Sequence, residues 1–245
     1  MPILTLAEPE MMFIACAAAL VAGMVRGFVG FGGASTMMLI LTQFYEPTSV
    51  LARVAVIDIF ANVRLLPTTW REVERRTATI VTLVTCIILP IGFWLLVVGD
   101  PVTMKRGIAA VVAICALALL SGKRFSAPAS LPVLIAVGVV CGLVLGATFV
   151  ALVFMVFVYA LPLTAAESRA TGICWSAGIS VAFAVTAMFA GVITWADLGP
   201  AAIVGLVFLA GAWTGAHVFR QVDEALFRRI VLVFLLVLAS IGLVY

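Results

Sequence analysis

Apolar residues run through this chain in long blocks that short polar stretches interrupt. The blocks fall at roughly 11–30, 32–45, 50–66, 78–98, 107–121, 131–146, 147–161, 168–190, 200–218 and 229–245. A helix that crosses a bilayer needs about 20 apolar residues, and several blocks approach that length. They do not alternate apolar with polar at the spacing of transmembrane strands. The pattern predicts an all-α polytopic membrane protein with about 8–10 membrane segments.

Two stretches cannot be single straight helices. Residues 11–45 are interrupted by Gly27, Gly30, Gly32 and Gly33. Residues 131–161 carry no charge and are punctuated by Gly138, Gly142 and Gly146. A continuous helix over the second stretch would reach about 46 Å at 1.5 Å per residue, against a hydrocarbon core of about 30 Å. Each stretch must break, tilt strongly or fold back.

The chain also resembles itself. Residues 1–122 and 131–245 read as two transmembrane repeats joined by a linker at 123–130. Each opens on a Gly-punctuated run, followed by a helix with an arginine near its start: Arg53 in the first half, Arg169 in the second. Asp100 with Lys105-Arg106 and Asp223 with Arg228-Arg229 then recur at the same internal spacing. Five segments per half is an odd number, so the second half is expected upside down. Inverted repeats with interrupted helices at matching positions are the architecture of many secondary transporters. Basic clusters at Arg71, Arg75 and Arg76, at Lys123 and Arg124, and at Arg220, Arg228 and Arg229 mark cytoplasmic loops by the positive-inside rule. The N-terminus and 191–200 fall outside. Lys105 and Arg106 conflict with that scheme.

Composition narrows the classes. Hydrophobic residues make up 65% and charged residues 10%, far from the half apolar and quarter charged of a soluble domain. A net charge of +3 is too small to suggest nucleic acid. Glu8 and Glu10 precede the first apolar run where a secretory signal would carry Lys or Arg, so that run is expected to be retained. Cys16, Cys86, Cys115, Cys141 and Cys174 lie in apolar runs without CxxC spacing and read as small buried hydrophobes. With His217 the one histidine, neither a metal nor a cofactor is expected. An enzyme would need a nucleophile with a base, a metal cluster or a cofactor motif, and the chain offers none. It also lacks an ATP-binding motif, so a gradient or a separate subunit must supply energy.

Val25-Arg26-Gly27-Phe28-Val29-Gly30-Phe31-Gly32-Gly33 resembles the Gly-rich first-helix signature of the sulfite exporter TauE/SafE family, also called TSUP. Cys141-Gly142-Leu143-Val144-Leu145-Gly146-Ala147 resembles its repeat. Arg169-Ala170 and Phe227-Arg228-Arg229 are similar to later family motifs, and the likeness covers essentially the whole chain. The second signature departs from the family in being poorer in Gly, with Ala147-Thr148-Phe149-Val150-Ala151 in place of a Pro-containing segment. The resemblance implies a multi-pass transporter of the bacterial inner or plasma membrane, handling sulfite, an organosulfonate or a related organic acid.

Candidate chemistry gathers at the breaks and at charges inside apolar runs. Unwound segments around Gly30, Gly32 and Gly33, and around Gly142 and Gly146, would present N–H groups to an anion. The competing reading is close helix packing, which Gly23/Gly27, Gly138/Gly142/Gly146 and Gly211/Gly215 all fit. At 100° per residue Arg53 and Arg64 share one face, Asp58 and Asn62 another, and Arg169, Ser176 and Ser180 a third. Arg53, Arg169 and Ser176 are candidate substrate contacts. A planar guanidinium suits a sulfo or carboxylate group. Alternatively each arginine snorkels or pairs with Asp58 or Glu167. Arg26 lies inside an apolar run. Asp58, with Asn62, is the candidate coupling carboxylate; a structural ion pair is the alternative. Membrane lipid and a small anion are the expected partners, and a homo-oligomer is compatible with the sequence. A proton- or cation-coupled carrier of another acid, or a non-transporting membrane subunit, stays open as an alternative.

Overall fold

The computed structural model describes residues 8–29, 32–121, 130–219, 232–237 and 239–240. The expectations for Gly30, for all of the linker at 123–130 but Ser130, for Asp223 and for the basic motif at 227–229 lie outside these residues, as do the side chains of Arg64 and His217. Helices follow one another as α1 (Pro9–Val29), α2 (Gly33–Leu41), α3 (Pro47–Thr69), a 3₁₀ turn (Trp70–Glu72), α4 (Arg75–Val98), α5 (Pro101–Leu120), α6 (Leu131–Thr148), α7 (Leu152–Val158), α8 (Ala165–Phe189) and α9 (Trp195–Phe219). Residues 232–237 are helical too, and no strand occurs among the described residues. The protein is an all-helical, multi-pass membrane protein.

Six helices, α1, α4, α5, α6, α8 and α9, are long and apolar enough to cross a bilayer. Their outer faces carry large bare hydrophobes such as Phe13 (75% exposed) and Phe189 (90%), which in water would aggregate and in lipid are solvated. The central helix differs. With 23 residues α3 could span, yet it carries Arg53, Asp58 and Arg64. Residues 50–58 are all buried inside the bundle, which shields Arg53 and Asp58 from lipid.

Both overlong stretches break. After α1 the chain turns at Gly32, whose φ of 82° is in the left-handed region, and α2 then folds back, with Gly33 set against Arg26 Cβ and the Ala22 carbonyl. The second stretch breaks at Phe149, not at the glycines expected to interrupt it. Phe149 has φ 52°, caps α6 by donating its N–H to the Leu145 carbonyl, and packs its buried ring edge-on to Phe183 at 4.8 Å. A bulky residue in that conformation is costly, and the aromatic contact holds it there. At nine and seven residues, α2 and α7 reach about 14 and 10 Å, too short to cross alone.

The glycines serve packing. A Cβ on Gly142 would lie 2.7 Å from Ile88 Cβ, and one on Gly146 2.8 Å from Gly92 Cα. Gly142 and Gly146 therefore let α6 press its backbone against α4, the packing role weighed beside a place in the substrate site. On the other side Gly23 and Gly27 of α1 meet Phe208 and Ala212 of α9, while Gly211 and Gly215 meet Leu20 and Met24. These are the small-residue contacts that replace hydrophobic burial in lipid.

The contacts also set direction. Residue numbers rise together along α1 and α9, along α4 and α6, along α3 and α9 (Arg53 to Asp197, Phe60 to Gly205), and along α4 and α8 (Glu74 to Thr171, Phe93 to Phe183). So α1, α3 and α9 run one way and α4, α6 and α8 the other. Helices at corresponding positions of the two halves, α1/α6, α3/α8 and α4/α9, are opposed.

Helix starts are capped by the residues that looked like loop charges. Thr164 and Glu167 form a capping box on α8, which occupies the carboxylate weighed as an Arg169 partner. Asp100 accepts from the N–H and hydroxyl of Thr103 at 2.8 and 2.9 Å. These two bonds hold its carboxyl below the usual carboxylate range. The stabilisation is present above the ordinary value and is lost as pH falls through the lowered one. Lys105, the conflicting topology charge, lies on α5 and is 4% exposed, so it is not a loop charge.

Two outcomes follow from this packing. In a background freed of native cysteines, Ala190→Cys and Val102→Cys react with an impermeant maleimide from one membrane face and Glu72→Cys from the other. Labelling of all three from a single face would contradict the helix directions. Gly146→Ala forces α6 from α4 and lowers stability by about 1–3 kcal/mol. Gly107→Ala, with nothing within 4 Å of the new methyl, is neutral or stabilising by up to about 1 kcal/mol. Thermal melts in detergent check both.

Candidate functional site

Asp58 and Asn62 stand one turn apart on α3, and Asn62 Nδ2 donates to Asp58 Oδ2 at 2.8 Å. Across from them α8 presents Ser176 and Ser180, also one turn apart. Their hydroxyls reach the same Oδ2 at 3.0 and 2.6 Å; the single Ser180 proton is shared with the Ser176 carbonyl at 2.8 Å. From the last turn of α1, Arg26 Nη1 meets Asp58 Oδ1 at 2.7 Å, and Nη2 donates to Asn62 Oδ1. Arg26, Asp58 and Asn62 are 4%, 2% and 2% exposed. A charge pair this deep persists only when its remaining hydrogen-bonding positions are filled, and here α1, α3 and α8 fill the carboxylate completely.

The arginine is not filled. Arg26 Nε is buried and has no hydrogen-bond partner, and neither has Ser35 Oγ, three residues into α2 and fully buried. Both residues line a cavity of about 20 Å³, together with Gly32, Ser176, Met155 and Trp175. Water needs about 10–15 Å³ of such space, so the cavity has room for one. Gly32 supplies no side-chain cap to α2, and the first-turn amides of a helix have no intrahelical acceptor. The wall therefore offers a guanidinium N–H, a hydroxyl and a helix N-terminus, which together suit an anion. Trp175 is held against this wall by stacking on Phe154 at 4.4 Å and by a bond to Thr85 Oγ1 at 3.4 Å.

The structure distributes the expected residues unevenly. Gly32 and Ser176 are on the cavity wall; Gly33 supports Arg26 from behind; Asp58 and Asn62 anchor it. Arg53 is elsewhere. It donates to Asp197 Oδ1 of α9 at 2.8 Å and to the Ser49 carbonyl at 3.1 Å, so its partner is neither the cavity nor Asp58. Asp197 is itself fixed by the Thr194 N–H and hydroxyl. Arg169 is half-buried with an unpartnered Nε and is not part of the cavity wall. Sequence reasoning passed over Arg26 and Ser35 as site residues. The available signal was an arginine inside an apolar run, one segment before an Asp/Asn pair at helical spacing.

A bundle of opposed helix sets, with a hydrogen-bonded charge centre beside a helix break, is a construction that membrane transporters share. The chain belongs to the sulfite exporter TauE/SafE family, whose model matches residues 15–241. No curated protein and no solved structure matches it.

The pair and the orphaned hydroxyl separate experimentally. Asp58→Ala strands the Arg26 charge and costs about 3–5 kcal/mol of stability. Ser35→Ala removes a buried hydroxyl that bonds to nothing, and leaves stability unchanged or slightly raised. Thermal unfolding of the two variants in one detergent measures the contrast.

Proposed function

We propose that the protein carries a small sulfur oxyanion, sulfite or an organosulfonate, through the cell membrane by alternating access between two inverted repeats, 1–122 and 131–245. The observation that carries this reading is the surplus of donors at one place: Arg26 Nε and Ser35 Oγ, both buried and unpartnered on one cavity beside the start of α2. Water or an anion can satisfy them, and an anion also answers the positive end of the helix. The opposed helix directions support the repeat, and membership of the family supports the substrate class.

At about 20 Å³ the cavity accepts a water and not a sulfo group. The site is thus closed in this conformation, and loading it requires α2 and α7 to move against α8. Short broken helices suit such movement, because they are not anchored at both faces. Met155 and Trp175 would meet the apolar part of an organosulfonate while the oxygens face Arg26 and Ser35.

Reconstituted into liposomes, the full chain is expected to move sulfite and methanesulfonate down their gradients. Ser35→Ala weakens apparent affinity by about 10-fold or more, the loss of one hydrogen bond to a charged group. Arg169→Gln, away from the cavity, has a smaller effect. Undiminished affinity in Ser35→Ala, or an equal loss in Arg169→Gln, would move the site elsewhere.

A further inference from the structure

The Arg26–Asp58 centre is neutral as a pair and buried, and that neutrality limits how an anion can enter. A sulfonate on Arg26 brings a negative charge beside Asp58, which is 2% exposed. Two anions would then share one guanidinium in a low-dielectric interior, the condition under which a carboxyl group takes up a proton. Ser176 joins the two places. It lines the cavity, and its Oγ donates to Asp58 Oδ2 at 3.0 Å. The cavity holds room for one water, so a proton has a route from water through the Ser176 hydroxyl to the carboxylate.

The surroundings leave Asp58 as the group that responds. Arg26 is its one cationic contact among the described residues, with Asn62, Ser176 and Ser180 as neutral donors. On α3 itself Arg53 is paired with Asp197 of α9, and on the helices packed around it Glu74 and Glu167 cap α4 and α8. Lys105 of α5, Arg169 and Cys174 of α8 and Tyr45 before α3 make no contact with Asp58, and α2 has no ionisable side chain.

We propose that Asp58 binds a proton, relayed by Ser176, each time Arg26 binds the anion, so that sulfonate and proton cross together without net charge. This rests on the anion site proposed above. The proton comes from water on the loading side, resides on Asp58 Oδ2 while the anion holds Arg26, and returns to water on the far side when the Arg26–Asp58 contact re-forms.

The test uses proteoliposomes of the full chain with a trapped pH dye and methanesulfonate, which has no titratable group near neutral pH. A methanesulfonate gradient acidifies the interior as the anion enters, and a potassium diffusion potential alone drives no uptake. In Asp58→Asn the protons counted per sulfonate fall to zero. Should that variant fail to insert, Ser176→Ala decides: with the relay hydroxyl gone, fewer protons are counted per sulfonate. Sulfonate entry without acidification, potential-driven uptake in the wild type, or an unchanged proton count in Ser176→Ala overturns this inference and leaves the anion site standing. No sulfonate movement in the wild type overturns the site itself.

Discussion

An ion pair at the core of a membrane protein is a liability unless its surroundings are built for it, and the Arg26–Asp58 pair shows what that building demands. Separate insertion of each charge into the bilayer centre would cost about 2.5–3.5 kcal/mol on translocon scales. Here the cost is offset by bonds from three elements. Asn62 must lie one turn beyond Asp58, and Ser176 and Ser180 one turn apart on the facing helix. That requirement fixes the crossing of α3 and α8. Arg26 must arrive from the end of α1, which fixes where the first stretch turns. The close glycine contacts of α1 on α9 and of α6 on α4 then hold the outer helices against this centre.

The membrane segments were legible because length is a hard constraint. A run of 31 apolar residues is too long for the hydrocarbon core, so a break in 131–161 had to exist whatever its residues. Where it falls was not legible. Glycine was the natural suspect, but Gly142 and Gly146 were already needed for contact with α4, and the turn passed to Phe149, whose strain Phe183 supports. Hydrophobicity reports how much chain lies in lipid; it does not report which small residue faces a helix and which faces a gap.

The site was half legible for a related reason. Helical spacing paired Asp58 with Asn62 and Ser176 with Ser180, and both pairs meet in space. The repeat argument drew attention to Arg53 and Arg169 because each half has one. Arg26 has no such counterpart, since α6 and α7 carry no charged residue. The two halves share helix order and oppose each other in direction, but they divide the chemistry. The first contributes Arg26, Ser35, Asp58 and Asn62. The second contributes two hydroxyls and the apolar wall of Met155 and Trp175. A symmetry argument finds the scaffold of the candidate site and misses Arg26, which the second half does not repeat.

That division explains why the centre can be both stable and ready to change. The carboxylate side is saturated, so the pair is secure when nothing is bound. The guanidinium side keeps Nε free beside the free Ser35 hydroxyl, and buried donors without acceptors carry a desolvation penalty of about 1–3 kcal/mol each. In the function proposed above, an arriving anion relieves that penalty and at the same time competes with Asp58 for the same guanidinium. Binding energy is therefore coupled directly to the contact that ties α1, which ends at the break, to α3. A site whose ligand repays an existing deficit while loosening a structural bond has the linkage a carrier requires, and it arises from one arginine serving two acceptors.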